Sequence, residues 1–356
     1  MEQVMMWIMA VGVVIGGVDR ILGNRFGLGK RFEEGFELLG PTALSMAGII
    51  CLAPLLTAFL QQAVVPVWQG LGFDPAMLGG VLAIDMGGYQ LSVGLAESSR
   101  VGRYAGIIVA AVLGCTVTFT IPVGMGLLEE GDRPEFARGM LIGLGVMPVA
   151  FLVGGVACGL SLPEVLWQSL PVILFSLALM AALRFCPERS ERGFARFAAL
   201  LRYLTTVGLV AGAVTYMTGL ELLPGLAPLA DAMEVVSSVG IVLLGSLPVA
   251  ELLRRILRRP LRRIGEWTGM NEASIAGLLM GGVSVVPAIA MMKDMDRRGK
   301  VANGAFLVCA ASGFAAHMGF TFGVDRSCVP ALLAAKLAGG LAGVGVALAV
   351  TKKEKA

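Results

Sequence analysis

The chain reads as long apolar runs separated by short polar segments. Runs of about 20 residues, enough to cross a ~30 Å hydrocarbon core, begin near residues 4, 38, 76, 104, 139, 165, 203, 235, 274, 301 and 328. The polar stretches between them are short, which leaves little chain for a soluble domain. Two runs differ from the others. Residues 76–96 contain Asp85-Met86-Gly87-Gly88, and residues 274–292 contain Gly281-Gly282 and Pro287, each a break in helical pattern. The pattern predicts an all-α polytopic membrane protein with about nine full transmembrane helices and two re-entrant helical hairpins. Eleven straight spans, with the glycines serving close helix packing, is the competing reading.

The distribution of Lys and Arg bears on that choice. With eleven crossings and the N-terminus outside, these residues divide 13 inside to 14 outside; with two hairpins that return on their own side the division is 24 to 3, Lys336 aside. Positive-inside orientation therefore favours the hairpins, an outside N-terminus and a cytoplasmic C-terminus.

The two broken runs are also equivalent in a repeat. Glu37–Thr120 lies over Glu234–His317 at a constant offset of 197 with no gap, and the identities include Glu37/Glu234, Gly48/Gly245, Arg100/Arg297 and Gly102/Gly299. Five crossings precede the second copy, so the repeats are inverted. Secondary transporters use such pairs to build a midplane site between two halves. The expected organisation is repeat 1 over 1–160, a bridging helix and basic cytoplasmic loop over 161–198, and repeat 2 over 199–356, all within one integral-membrane domain.

Composition narrows the classes further. The chain is 56% apolar and 15% charged, against ~45–50% and ~25% for soluble domains. Met1–Ala10 lacks the positive n-region and cleavage site of a secretory signal, so the first run is expected to be retained. Six cysteines without a C-x-x-C indicate neither a zinc site nor a disulfide framework, and no cofactor is expected. The cluster Arg254 to Arg263 fits anionic lipid at the inner surface rather than nucleic acid. No H-E-x-x-H or G-x-S-x-G occurs, and a membrane aspartyl protease would need two facing acids, so an enzyme is not expected. Nothing in the sequence decides whether the protein is a homo-oligomer.

Candidate chemistry centres on Asp85, the acid that lies deep within an apolar run. An ionised carboxylate there costs about 2.5 to 3.5 kcal/mol, so it needs a cation or a proton, or else serves as a helix cap. At a hairpin tip it joins the carbonyl end of the preceding half-helix in drawing a cation. Met86, Gly87, Gly88 and Gln90 complete the first tip, and Ser284 could offer a hydroxyl from the second. Asn303, Ser312 and His317 lie along the tenth run, and Thr116, Thr118 and Thr120 along its repeat partner. The threonines are expected to bond back to their own helix. His317 could relay protons or bond a substrate hydroxyl, or simply pack with one hydrogen bond. Lys336, mid-run, is a candidate counter-ion for Asp85 or a coupling group.

Several strings together resemble a known family: Arg-Phe-Glu-Glu-Gly-Phe at 31–36, Leu-Ala-Pro-Leu at 52–55, Asp-Met-Gly-Gly at 85–88, Met-Met-Lys-Asp-Met-Asp at 291–296 with Arg-Gly-Lys-Val at 298–301, and His-Met-Gly-Phe at 317–320. In this order, along nearly the whole chain, they resemble the EutH-type ethanolamine utilisation transport proteins. The resemblance implies a permease for ethanolamine in the inner bacterial membrane. The chain departs from that family's pattern at Val285 and Val286 or, one place earlier, at Ser284, where the family has a pair of asparagines before the proline, and at Ala316, where it has an acid.

Overall fold

The computed structural model describes residues 2–82, 85–256 and 258–351. The tail lysines counted for orientation lie outside the described residues, as do the side chains of Arg258, Arg259 and Arg262 in the basic cluster. Helices α1 (Glu2–Ile21), α2 (Leu28–Glu37), α3 (Leu39–Ala63) and α4 (Val65–Gly70) lead into the short helices α5 (Met77–Val81) and α6 (Gly88–Leu95), with a 3-10 turn at Asp85–Gly87. Helix α7 (Ser99–Arg103) continues through π-helical segments Tyr104–Gly114 and Thr116–Thr120 into α8 (Ile121–Leu127). Then follow α9 (Arg133–Ala157), α10 (Leu162–Phe185), α11 (Pro187–Thr218), α12 (Leu229–Ile256) and α13 (Arg258–Thr268). The chain closes with α14 (Glu272–Val283), α15 (Val285–Ala290), α16 (Arg297–Ala310), α17 (Ala316–Val324) and α18 (Val329–Val350).

Among the described residues, eight helical stretches are long and apolar enough to cross a membrane, which makes this a multi-pass membrane protein. The sequence pattern predicts about nine. The difference lies in the run beginning near 301, which is two helices, α16 and α17, separated by Ala311–Ala315. Ser312 holds a left-handed φ of 53° there, a conformation that ends an α-helix. The basic segment expected as a loop before residue 198 is instead the start of α11, because Pro187 at the first turn and the Glu/Arg-rich stretch after it suit a helix.

Local chemistry sets several helix starts. Ser161 and Glu164 form a reciprocal capping box before α10. Asn271 accepts from the Ser274 N–H at the head of α14, and Asp296 from the Gly299 N–H at the head of α16. The main core surrounds the π-helical segment, where Tyr104, Ile107, Ile108 and Leu113 are buried with Phe136, Met147 and Phe151.

Small residues bring helices into close contact, and the pairs that meet fix their relative directions. Gly12 of α1 lies on Gly245 of α12 and Gly16 on Pro248, so these helices run parallel. Gly48 of α3 meets Thr205 of α11, and Gly212 of α11 meets Cys51, again parallel. Gly139 of α9 faces Val301 and Gly143 faces Val308, so α9 and α16 are parallel too. In contrast α9 and α18 are antiparallel: Gly154 packs on Ala335, while Arg138 donates to the Val350 carbonyl at 3.0 Å.

The two short-helix pairs each fold back on themselves. Gly79 of α5 lies against Gly88 and Ser92 of α6 so closely that a Cβ on Gly79 would sit 2.0 Å from Ser92 Oγ. At the open end the buried Asp74 carboxylate accepts from the N–H groups of Ala76, Glu97 and Ser98 at 2.9, 3.3 and 3.0 Å. In the second pair Asn271 plays the equivalent part, donating its side-chain N–H to the Asp294 carbonyl at 2.8 Å and its backbone N–H to Asp296.

Candidate functional site

The bend of the first pair is built around Asp85, which holds a left-handed φ of 55°. Asp tolerates this conformation better than most residues. Its carboxylate meets His317 of α17, with Oδ1 2.9 Å from Nε2 across 232 positions of sequence. The histidine side chain is 2% exposed and the aspartate 20%, so the acid is the accessible member of the pair. Cys115 Sγ, Asp85 oxygen and a His317 ring nitrogen lie within 4.8 Å of one another. One oxygen, one nitrogen and one sulfur could close on a zinc-like ion, although each has a simpler partner: Asp85 with His317, and Cys115 Sγ at 3.9 Å from Thr120 Oγ1.

Neighbouring residues dock the same bend onto α17. The Tyr89 ring meets Phe320 edge-on, with centroids 6.0 Å apart, and Met86 packs on the apolar cluster that contains Phe320 and Val239. Gly87 and Gly88 are buried, and a Cβ on Gly88 would approach the Gly79 carbonyl at 2.9 Å. Gln90 is half-buried on α6.

The bend of the second pair works differently. Ser284 is extended (φ −153°, ψ 135°) and its N–H returns to the Met280 carbonyl at 2.7 Å. The preceding glycines present carbonyls to the unwound stretch between α16 and α17: Gly281 O accepts from the Ser312 N–H at 2.9 Å, and Gly282 O from the Phe314 N–H at 2.8 Å. Ser312 thus meets the second bend through its backbone, and its own carbonyl accepts from the His317 N–H at 3.2 Å. Among the described residues, the Asp85 carboxylate bonds His317 and not Ser284.

Two candidates stand elsewhere. Asn303 donates to the carbonyls of Ser274 at 2.8 Å and Gly299 at 2.9 Å, which binds α16 to α14 near the base of the second pair rather than at the Asp85 bend. Lys336 forms no ion pair with Asp85. Its Nζ donates to the carbonyls of Ala111 and Ala311 at 2.9 Å and of Cys309 at 3.4 Å. The broken end of α16 supplies acceptors that the lysine can reach from α18, and these replace the carboxylate as its partner. Thr116 and Thr118 do bond back to Val112 and Gly114, and Thr116 also reaches the Val308 carbonyl of α16 at 2.8 Å. Cys115 is the site neighbour that sequence reasoning passes over, since a cysteine in an apolar run carries no spacing signal. A cavity of about 340 Å³ beside α5, lined mainly by Val81, Leu82, Val117, Phe175, Phe194 and Phe197 and also by Ser190, is largely apolar and holds no carboxylate.

Comparison with known proteins gives a consistent result. Residues 1–350 match the family model described as ethanolamine utilisation protein, EutH. The chain is 38% identical to the probable ethanolamine permease EutH of Listeria monocytogenes serotype 1/2a (strain 10403S), over all of this chain and 96% of the relative. It is 35% identical to the probable ethanolamine permease EutH of Escherichia coli (strain K12), over all of this chain and 97% of the relative. An uncharacterized protein of Bacillus subtilis (strain 168), YxeR, is 34% identical over the whole chain and 96% of its own length. No solved structure matches. The chain belongs to the EutH family.

Proposed function

We propose that this EutH-family chain is a permease that carries protonated ethanolamine across the bacterial inner membrane. The observation that carries the reading is the Asp85–His317 pair: a partly accessible carboxylate, held by a buried imidazole, at the bend of a folded-back helix pair. A primary amine, like lysine's with its pKa of ~10.4, is almost wholly protonated at neutral pH. Asp85 and nearby carbonyls would replace the water around that ammonium, and His317 or Ser312 would meet the hydroxyl. The names given to the Listeria and Escherichia relatives agree with this cargo.

The transport cycle we infer is alternating access between two inverted repeats, with the pairs α5/α6 and α14/α15 as re-entrant hairpins. Helix directions support this. Eleven crossings would make α1 antiparallel to α12, α3 to α11 and α9 to α16, whereas all three contacts are parallel. Two non-crossing pairs make every one of these parallel and leave α9 and α18 opposed. The order of elements also recurs near the 197 offset: α4 with α13, α5 with α14, α6 with α15, and α9 with α18. In this reading the N-terminus is outside and the C-terminus cytoplasmic.

The test is uptake of labelled ethanolamine into proteoliposomes at pH 6, with and without a proton gradient, for wild type and Asp85→Asn. Asparagine also tolerates positive φ, so the substitution removes charge and not backbone fit. Uptake should fall about 100-fold, the worth of a charge-assisted bond of ~3 kcal/mol; unchanged uptake would sink the assignment. Competition by choline, serinol and alkylamines distinguishes ethanolamine from another small amine, which the same carboxylate would also attract. Because neutral ethanolamine leaks through lipid and its fraction falls tenfold per pH unit, the growth advantage conferred by the protein should be larger at pH 6 than at pH 8.

A further inference from the structure

Lys336 is 2% exposed in the middle of α18, and among the described residues its hydrogen bonds all go to backbone carbonyls. All three ammonium protons are used, on Ala111, Cys309 and Ala311. Two of these acceptors exist because α16 stops. The chain leaves the helix at Ala311 (φ −46°, ψ 129°), and the Gly313 N–H, which would have served Cys309, turns to the Ala310 carbonyl at 3.2 Å. The unpaired carbonyls at a helix C-terminus carry partial negative charge. The third acceptor, Ala111, lies in the π-helical segment of the other repeat. Space for the lysine stem is made at Gly313, where a Cβ would sit 2.8 Å from Lys336 Cδ.

Convergent carbonyl oxygens at the end of an unwound half-helix are the donor set that holds alkali cations in membrane transporters. We propose that Lys336 is a tethered cation filling an alkali-ion site at the α16 break, so that removing its ammonium leaves a site that takes Na⁺ from solution. Among the described residues Lys336 makes no hydrogen bond to Asp85 or His317. The test reads folding stability, so the proposal stands or falls independently of the cargo.

Wild type, Lys336→Ala, Lys336→Ser and Lys336→Met are purified in detergent and melted in NaCl or in N-methyl-D-glucamine chloride at matched ionic strength. Alanine opens the site, serine adds a fourth oxygen, and methionine fills the space with an uncharged stem. Binding to the folded state alone raises stability by mass action. The alanine and serine variants should therefore melt about 2 to 4 °C higher in NaCl, while wild type and the methionine variant should not respond. A sodium response no larger in alanine and serine than in wild type overturns the proposal. So does an equal response in the methionine variant, or recovery of the alanine and serine variants folded in neither salt.

Discussion

The two bends occupy equivalent places in the chain and use opposite chemistry. At the 197 offset Asp85 corresponds to Gly282, Gly87 to Ser284, and Cys115 to Ser312. The first bend presents a carboxylate side chain to His317; the second presents backbone carbonyls to the N–H groups of Ser312 and Phe314. One bend therefore makes a partly open side-chain contact and the other a closed backbone contact. Each carbonyl of the second bend already accepts one backbone N–H, whereas a carboxylate held by one imidazole keeps the larger, charged acceptor capacity. On the function proposed above, the ammonium binds at the first bend and the second is its counterpart.

The largest test makes the first bend like the second. Asp85→Gly should lower uptake about 100-fold, as loss of a charged hydrogen-bond acceptor of ~3 kcal/mol implies. Glycine adopts the φ of 55° without the cost borne by other residues, and this offsets part of the cost of leaving the buried His317 without its carboxylate partner. Normal recovery of folded protein with a melting temperature within a few degrees of wild type, together with lost uptake, separates ligand chemistry from structure. Retained uptake would erase the contrast between the bends. His317→Gln comes next: it removes the imidazole but leaves the carboxylate, so uptake should drop about tenfold, with the change in KM rather than in protein recovery.

The bases of the two pairs extend the comparison. Asp74 is buried and accepts from three backbone N–H groups, which Asp74→Ala would leave without partners or water. Asn271 sits at an exposed position, so solvent can take over part of its role. Asp74→Ala should cost about 2 to 4 kcal/mol of stability and Asn271→Ala about 1 to 2. Thermal unfolding in detergent reads the order, and an equal or reversed order would show that the second pair depends as much on its cap as the first on its carboxylate.

Much of the architecture was legible in the residues because lipid imposes few solutions. Apolar length marks the spans, and Asp85-Met86-Gly87-Gly88 and Gly281-Gly282 mark places where a helix stops. What the runs could not show is which polar groups meet. His317 lies 232 positions from Asp85, and nothing in a local pattern links them. Electrostatic reasoning would pair Lys336 with the nearest acid. The break at Ser312 and Gly313 carries only one glycine and no proline, so the carbonyls it frees for Lys336 left little mark in the sequence. Asn303 is polar in an apolar run, and its two donated bonds, which join α16 to α14, leave no local mark in the sequence either. The charge of the basic segment before residue 198 reads as a loop, yet Pro187 and the Glu/Arg-rich stretch after it open a helix.

The smallest expected effect is at Ser284, and it bears most directly on whether the second bend is silent. Its backbone N–H already returns to Met280 at 2.7 Å and its φ of −153° is extended, a conformation alanine adopts as easily. The hydroxyl is half-buried, so its loss exposes no buried partner in the way that loss of Asp85 would. Ser284→Ala should therefore keep ethanolamine uptake within about twofold of wild type, less than ~0.5 kcal/mol. A loss approaching tenfold, with the folded protein recovered normally, would mean that the hydroxyl touches the substrate. In that case the site is shared between the bends, and the carbonyl contacts of Gly281 and Gly282 serve to aim Ser284 as well as to close the second pair.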